Sequence, residues 1–456
     1  MSARQLRVRR RRRLSRRADT RQLSPSPGRA ARGFVVLAAP EVVRPRTQEA
    51  TVIDHRRLGR ELELFDTDPL IGAGLPYWLP DGAEIRHALE EYVRGLERRA
   101  GYRHVYSPVL GKRELYQISG HWDHYSQDMY PPMEVGGEQL LLRPSLCPHH
   151  ALIYRSRAHS YRELPLRMAE LGGMFRLELS GVLGGLNRVR AIQLNDAHIF
   201  CTVEQVAEEA QAALVLIRQA HRDMGIQNAR YRLSLPGPGG KYVDKPEMWE
   251  RSTRLLREIL DAAGLEYEAA EGEAAFYGPK IDVQVTDSAG REFSLSTVQV
   301  DFHQPEQFDL HYIGPDGAKH RPVMVHRSVI GSIERAVSHL IEVHAGAFPA
   351  WLAPVQVAVL PLTDDELPQA RDVIERCVAL GLRAELHFPE NGSLGARIRA
   401  ARLVPYQAVI GPKEAAGGQI ALRLRDGRRL DPRPAGEVLA QLSEEIRSLS
   451  SPVHIM

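Results

Sequence analysis

The sequence of 456 residues is poor in cysteine and has no long apolar run. Its three cysteines are too few for the disulfide framework of a small secreted domain, which favours a reducing, cytoplasmic location. Because no stretch reaches about 18 consecutive apolar residues, a transmembrane helix is excluded. No sequence period recurs along the chain, so collagen-like, coiled-coil and repeat architectures are excluded as well.

Lysine is also scarce, with six lysines against 54 arginines. Residues 1–33 hold twelve arginines and one acidic residue, a net charge of +11, whereas the whole chain carries +3. The remainder of the chain therefore carries −8. Residues 1–50 lack apolar periodicity and are rich in Arg, Pro and Ser, which predicts a disordered extension. A nucleic-acid-binding arm, a transit peptide and an upstream start codon are the alternatives for this segment.

The composition of the whole chain is that of an ordinary globular protein, with 43% hydrophobic and 26% charged residues. Asp81 and Glu84 form the pattern of a capping box, and apolar residues at helical spacing follow, which predicts a helix over 81–100. The other elements predicted before residue 350 are helices over 204–223 and 331–345 and strands over 102–109 and within 275–301.

The residue pattern changes after residue 354, where strand-like and helical segments begin to alternate. The predicted strands are 355–362, 383–388 and 406–411, and the predicted helices are 364–380, 392–403 and 434–449. A turn at Asp426-Gly427 separates two further strand-like segments. This alternation predicts a compact α/β domain of about 100 residues with a mixed sheet.

Short local motifs do not indicate a function. The segment 237–241 lacks the spacing and the hydroxyl of a P-loop, and the segment 72–74 lacks the third glycine of a dinucleotide-binding loop. The H-E-x-x-H and C-x-x-C patterns are absent from the sequence. Composition and local spacing therefore indicate only a soluble two-domain α/β protein.

A longer segment is more informative. Residues 175–201, FRLELSGVLGGLNRVRAIQLNDAHIFC, resemble motif 2 of the class II aminoacyl-tRNA synthetases, and specifically of the threonyl-tRNA synthetases. Other segments resemble the same family in the same order, namely 164–170, 275–282, 296–302, 323–336 and 348–357, and more loosely 120–125 and 143–150. The resemblance extends from about Asp54 to the C-terminus.

The resemblance implies an α+β fold. A class II catalytic core, an antiparallel sheet of six or seven strands flanked by helices, is expected over residues 51–350. An α/β anticodon-binding domain is expected over residues 351–456. The helix at 81–100 and the strand after it resemble motif 1, which implies a homodimer. Because only about 50 residues precede the core, we expect the family's ubiquitin-like and editing domains to be absent.

The resemblance also implies a site for ATP and Mg²⁺. Arg176 matches the arginine that bridges the α-phosphate and the amino-acid carboxylate, and Arg335 matches the arginine at the γ-phosphate and adenine. Guanidinium suits these roles because it binds two oxygens at once and stays charged. The remaining positions implied to bind ATP are Glu178, Arg188, Ile192 and Gln299.

Three residues match the zinc ligands of the family, namely Cys147, His198 and His326. Three protein ligands leave an open coordination position, which in this family takes the amino group and hydroxyl of threonine. Asp196 matches the acid that receives the hydroxyl. Other implied pocket residues are Tyr277, Lys280, Gln299 and Ser332. His121 matches a histidine near the 3′ end of the tRNA, a candidate in acyl transfer.

Several neutral positions of the pocket differ from the family. Ile192 replaces an aromatic residue that stacks on adenine, and Leu194 and Ser294 each replace a glutamine. Further differences near the matched zinc ligands and pocket are Leu146, His149, Leu295, Ser296, His303 and Gln304. Since the charged groups and the metal ligands are retained, this pattern indicates a working enzyme with a reshaped pocket.

The sequence thus predicts a cytoplasmic threonine–tRNA ligase that uses Mg²⁺-ATP, zinc, L-threonine and tRNA(Thr), without editing in cis. A variant of this prediction is a second copy that resists an inhibitor of the housekeeping enzyme. One alternative is activation of a β-hydroxy amino acid for a non-translational acceptor. Another is a non-catalytic paralogue that binds tRNA or RNA. The sequence leaves open the true start site, editing in trans and the effect of the altered lining.

Overall fold

The computed structural model describes residues 52–239 and 241–449. The extension predicted over residues 1–50 therefore lies outside the described residues. Three apolar cores organise the described chain. A large one and a smaller one lie before residue 354, and the other is built mainly from residues after 356.

The first part of the chain is built of helices and strands in the following order. Its helices are α1 (His55–Glu61), α2 (Pro80–Arg99), α3 (Arg113–Ile118), α4 (His121–Tyr125), α5 (Cys147–Arg155), α6 (Val206–Asp223), α7 (Pro246–Ala262), α8 (His303–Gln307) and α9 (Ile333–His344). Its strands are β1 (Phe65–Asp66), β2 (Tyr77–Trp78), β3 (Arg103–His104), β4 (Leu110–Lys112), β5 (Met133–Val135), β6 (Glu138–Leu142), β7 (Leu166–Phe175), β8 (Ala191–Cys201), β9 (Arg230–Leu235), β10 (Tyr267–Glu271), β11 (Lys280–Thr286), β12 (Glu292–Asp301), β13 (Tyr312–Ile313), β14 (Lys319–His320) and β15 (Val323–Ser328).

The central sheet has the strand order β10-β9-β11-β12-β15-β8-β7-β3. The strands from β9 to β7 pair antiparallel, as the family resemblance implies. These six antiparallel strands agree with the expected six or seven, and one further strand pairs in parallel at each edge, so that the sheet has eight strands in all. At one edge the parallel pairing is possible because helix α7 connects β9 to β10. This crossover lets the two strands run in the same direction.

The two faces of this sheet have different character. Side chains alternate along a strand, and in β8 the residues Ala197, Ile199 and Cys201 pack in the core formed with α2, α6 and α9. Asp196 and His198 alternate with them on the opposite face, where Phe200 packs in the smaller apolar core. The sheet therefore presents apolar groups to these helices, and its opposite face holds the polar residues of the site beside an apolar cluster.

A buried charge network joins α2 to this sheet. Glu97 is fully buried and accepts hydrogen bonds from Asn195 Nδ2 and Arg327 Nη1, each at 2.7 Å. The Arg327 guanidinium also lies 4.1 Å from the ring centre of Tyr102. Since Asn195 lies in β8 and Arg327 in β15, one carboxylate connects the helix to both strands.

The sequence predicted the helices α6 and α9 correctly but erred at two boundaries. Helix α2 begins at Pro80 with Leu79 as its N-cap, so the capping box predicted at Asp81 and Glu84 is wrong. Proline suits the first helical position because its missing N–H would have no partner there. The strand predicted over 102–109 is reduced to β3.

The second part of the chain has a five-stranded mixed sheet with the order β17-β16-β18-β19-β20. Its elements are β16 (Val357–Pro361), α10 (Leu367–Ala379), β17 (Ala384–Leu386), α11 (Leu394–Ala400), β18 (Tyr406–Ile410), α12 (Pro412–Gly417), β19 (Gln419–Leu424), β20 (Arg433–Pro434) and α13 (Ala435–Arg447). The first three strands in this order are parallel and the last two join antiparallel, which confirms the predicted mixed sheet. The short helix α12 was not predicted.

The boundary between the two parts stays a prediction. Trp351 and Leu352 pack in the first core, whereas Ala350 packs in the second. The Trp351 indole donates to Asp223 O at 3.1 Å, so the segment near residue 350 is tied to α6. Among the helices within 52–239 and 241–449, none is long and apolar enough to cross a membrane.

Candidate active site and metal centre

A cavity of about 220 Å³ lies on the polar face of the central sheet. Strands β8, β12 and β15 supply much of its floor, and the start of α9 closes one side. The predicted site residues that line it are Arg176, Ile192, Asp196, Tyr277, Gln299, His326, Ser332 and Arg335. The fold thus brings together residues that are up to 159 positions apart in the sequence.

The three predicted metal ligands form a compact group beside this cavity. One ligand atom from each of Cys147, His198 and His326 lies within 4.8 Å of the others, and all three residues are buried. Cys147 is the first residue of α5, and His198 lies opposite His326 in the pairing of β8 with β15. His326 also lines the cavity, so the group and the cavity are continuous.

The histidines of this group are held for ligation by their neighbours. His326 Nε2 lies 2.8 Å from Asp301 Oδ2, an arrangement in which a carboxylate fixes the ring of a metal-binding histidine. Burial, together with the nearby His326 and His150, keeps the pKa of His198 well below its ordinary value. No described residue makes a hydrogen bond to Nε2 of His198, although that atom is buried. A neutral imidazole with an unpartnered nitrogen fits a metal ligand.

The thiol of Cys147 is buried among polar groups. Its sulfur lies 3.0 Å from Ser145 Oγ and 3.3 Å from Gln304 Nε2. Burial raises the pKa of Cys147 to about 12, although both neighbours oppose this effect. The thiol therefore keeps its proton until a metal ion displaces it. Gln304, one of the positions that differ from the family, contacts the predicted ligand directly.

Asp196 and Tyr277 line the cavity and contact the predicted metal-binding histidines. Asp196 Oδ2 is 3.9 Å from Nε2 of His198, and burial raises the pKa of Asp196. The Tyr277 ring stacks on His326 with ring centres 4.9 Å apart, and its hydroxyl donates to Gln299 Oε1 at 2.7 Å. These contacts orient polar groups toward a small ligand beside the metal group.

Two arginines give the other end of the cavity an excess of positive charge. Arg335 donates to Ser294 O and Asn187 O, while Arg176 lies 5.6 Å from the ring centre of Tyr125. Burial and the nearby positive charges, Arg176 first, lower the pKa of Arg335 to about 10. Within the described chain the buried Nε of Arg176 has no hydrogen-bond partner. This arrangement fits an anionic ligand such as a phosphate or a carboxylate.

Six predicted site residues lie outside the lining that the described residues give this cavity, namely the metal-group residues Cys147 and His198 and also His121, Glu178, Arg188 and Lys280. Glu178 and Arg188 pair with each other, at 2.9 Å between Oε2 and Nε. Lys280 Nζ lies 2.6 Å from Oδ2 of Asp282, which does line the cavity.

His121 lies near the metal group. Its Nε2 is 3.9 Å from Cys147 Sγ, and its Nδ1 is 2.9 Å from Ser119 Oγ. Burial lowers the pKa of His121 to about 3, so the ring is neutral. The position of His121 does not test its role in acyl transfer at the 3′ end of the tRNA, which stays a prediction.

Sequence reasoning missed two residues of the site, His150 and Glu170. His150 Nδ1 lies 2.8 Å from His198 Nδ1, and its Nε2 lies 3.1 Å from Glu170 Oε2. One available signal was the spacing of Cys147 and His150, because residues three apart share a face of a helix. Both residues also end segments that resemble the family, His150 in 143–150 and Glu170 in 164–170.

Comparisons with known proteins show which families this chain resembles. The family described as tRNA synthetase class II core domain (G, H, P, S and T) matches residues 132–344, and the anticodon binding domain family matches residues 356–445. The threonine–tRNA ligase of Geobacillus sp. (strain WCH70) is 50% identical over 405 residues, which cover 88% of this chain and 63% of that protein. Threonine–tRNA ligase 1 of Bacillus subtilis (strain 168) is 50% identical over 381 residues, 82% of this chain and 59% of that protein. The chain thus spans less than two thirds of the length of these relatives.

Solved structures show the same likeness. The RNA binding domain of threonyl-tRNA synthetase from Cryptosporidium parvum Iowa II has a TM-score of 0.80 and 32% identity, covering 88% of this chain and 100% of that one. A prolyl-tRNA synthetase from Cryptosporidium parvum has a TM-score of 0.66 at 14% identity, covering 86% of this chain and 76% of that one. At 14% identity, the similarity to the prolyl-tRNA synthetase shows a shared fold alone.

Proposed function

Because this chain belongs to the threonyl-tRNA synthetase family, we propose that it activates L-threonine with ATP and transfers it to the 3′ end of tRNA(Thr). One observation carries the proposal: the Cys147, His198 and His326 group adjoins a cavity that also holds Arg176 and Arg335. A site for a small polar amino acid therefore lies next to a site for an anion. Aminoacyl-adenylate formation requires this arrangement, since a carboxylate must approach a phosphate.

The metal group fits zinc by the chemistry of its donors. Cys147, His198 and His326 would hold the ion, because one sulfur and two imidazole nitrogens are typical zinc ligands and leave a fourth position open. A zinc ion bound there would act as a Lewis acid for the amino group and hydroxyl of threonine. Asp196, at the edge of the group, is placed to accept a hydrogen bond from that hydroxyl.

The arginines of the cavity would bind and orient the two anions. We assign the α-phosphate and the amino-acid carboxylate to Arg176, and the outer phosphates with adenine to Arg335. Mg²⁺ would accompany ATP. The Glu178–Arg188 pair lies beside this region, and binding of ATP would require the pair to separate if each residue takes the role that the family resemblance implies.

The ATP site offers a test of the altered lining. Ile192→Phe should lower the KM for ATP about tenfold, because stacking of a base on an aromatic ring contributes roughly 1–3 kcal/mol. Ile192→Leu is the matched control, since it keeps the volume without adding a ring, and it should leave the KM unchanged. Steady-state pyrophosphate exchange measures both values. An unchanged or higher KM in the phenylalanine variant would mean that neighbouring side chains already fill this space.

Finer features of the function are further proposals. A homodimer is one of these proposals, and it rests on the resemblance of the helix at 81–100 and the strand after it to motif 1. A cytoplasmic location agrees with the three cysteines being free. Absence of editing in cis and resistance to an inhibitor remain predictions.

The metal is tested by comparing two cysteine variants. Purified protein should contain one zinc ion per chain, and Cys147→Ala should lose both the metal and threonine-dependent pyrophosphate exchange. Cys377→Ala is the control, because that buried thiol lies in α10, away from the site. Metal content and exchange activity are measured on the same samples. Full activity of a metal-free preparation would contradict the proposal.

The same assay separates the alternative functions. Exchange with threonine followed by charging of tRNA(Thr) is the expected result. Exchange without charging would favour a β-hydroxy amino acid activated for another acceptor. Binding of tRNA without any adenylate would favour the non-catalytic paralogue.

A further inference from the structure

We propose that His150 and Glu170 are positioning residues, which fix the nitrogen that His198 offers to the metal. The inference rests on the proposed metal role of His198 and adds two residues to it. Both residues lie in segments that resemble the family, 143–150 and 164–170, but neither was predicted to be a site residue.

The first step concerns the carboxylate. Glu170 Oε2 accepts a hydrogen bond from Ser107 Oγ at 2.6 Å, and Glu170 Oε1 accepts one from Arg143 Nη2 at 2.9 Å. Arg143 is only 1% exposed, so this ion pair is buried. A carboxylate surrounded by donors in this way acts as an acceptor toward its third neighbour, His150.

The second step concerns the shared histidine. Because Glu170 accepts, His150 must donate through Nε2, which lies 3.1 Å away. When the imidazole of His150 carries one proton, and that proton is on Nε2, its Nδ1 is an acceptor. That atom lies 2.8 Å from Nδ1 of His198, and the two rings meet nearly edge-on at 88°. His198 must therefore donate through Nδ1.

The third step identifies the free nitrogen. When Nδ1 of His198 carries the proton, its lone pair is on Nε2. This is the same buried atom that makes no hydrogen bond to any described residue. Two independent observations, the chain of donors behind the ring and the unpartnered atom in front of it, thus select one tautomer.

Loss of the hydrogen bond from His198 to His150 should weaken metal binding. Without an acceptor at Nδ1, the proton of His198 can move to Nε2, and that tautomer cannot bind a metal through Nε2. Loss of such supporting hydrogen bonds typically weakens metal binding about 10–100-fold. The effect should fall on the metal and on threonine, since His150 contacts His198 and neither His150 nor Glu170 lines the cavity.

Two substitutions at one position test this inference. His150→Phe keeps a ring but removes the acceptor, and it should weaken zinc binding about 10–100-fold in competition with a chromophoric chelator. His150→Asn restores an oxygen acceptor near the position of Nδ1 and should recover most of the affinity. His159→Phe is the control, because His159 is a buried histidine that bonds to Tyr154 O, outside this network.

Kinetics and spectroscopy give readouts that a general loss of stability would not produce. The KM for threonine should rise in His150→Phe while the KM for ATP stays unchanged. In metal-free unmodified protein, ¹⁵N NMR of the histidine rings should show His198 protonated at Nδ1, with its signals assigned by their loss in His198→Gln.

Equal zinc affinity in His150→Phe and unmodified protein, or an Nε2-protonated His198, would overturn the inference. The NMR result does not depend on zinc. A protein that binds no zinc but shows the Nδ1 tautomer would therefore refute the proposed metal role alone and leave the hydrogen-bond relay standing.

Discussion

Arg176→Ala should lower the rate of threonyl-adenylate formation about 10³-fold, because it removes a preorganised cation from the point where two anions meet. The Arg176 guanidinium lines the cavity, and its buried Nε finds no hydrogen-bond partner within residues 52–239 and 241–449. An unused buried donor of this kind is costly unless a ligand occupies it. The ligand that fits is an oxygen of the phosphate or of the carboxylate.

Arg176→Lys sharpens the test. Lysine keeps the positive charge but cannot bind two oxygens in a fixed plane, so it should recover only a small part of the activity. Arg321→Ala is the matched control, since Arg321 is about half exposed and forms only a surface ion pair with Asp309. Pre-steady-state adenylate formation is the measurement, with thermal unfolding to verify the fold. A loss below about tenfold in Arg176→Ala would contradict the assigned role.

Amino-acid selection should show two very different levels of discrimination. Valine should be rejected about 10⁴–10⁵-fold at activation, because it has the shape of threonine but no hydroxyl, and the buried polar groups built for that hydroxyl would stay unpaired. Asp196 and the metal group of Cys147, His198 and His326 are such groups, since all are buried. Serine keeps the hydroxyl and lacks one methyl, so only about 10–200-fold discrimination is expected.

Serine therefore tests whether this chain edits its products. We expect the 456-residue polypeptide to accumulate seryl-tRNA in a charging time course, because discrimination by one methyl falls below the roughly 10⁴-fold accuracy that translation needs. Threonyl-tRNA, followed in parallel, is the control for spontaneous hydrolysis. Rapid release of serine but not of threonine would show that a hydrolytic site is present in the chain.

The sequence predicted regular elements well where local patterns decide them. The alternating C-terminal segments gave the correct mixed sheet, and the apolar spacing gave α6 and α9. The start of α2 was misplaced because Asp81 matches a capping pattern that Pro80 overrides. Of the two parallel edge strands, β3 was predicted too long, whereas β10 was missed because its formation depends on pairing with the distant β9.

The candidate site depends on contacts that local spacing does not contain. Cys147, His198 and His326 are separated by 51 and 128 residues and meet only because β8 pairs with β15 and α5 begins beside them. Family resemblance could indicate them, whereas no rule of spacing could. His150 and Glu170 were missed because their roles arise from the orientation of hydrogen bonds, which a sequence does not record.

The buried carboxylate of Glu97 makes three distant positions dependent on one another. Asn195 and Arg327, which it binds, immediately adjoin Asp196 and His326 of the site. Removing one partner of a buried ion pair costs roughly 3–5 kcal/mol, while replacing a whole set by apolar groups is often tolerated. Positions 97, 195 and 327 should consequently vary together among natural homologues, and an engineer who redesigns α2 must treat the three as one unit with the floor of the site.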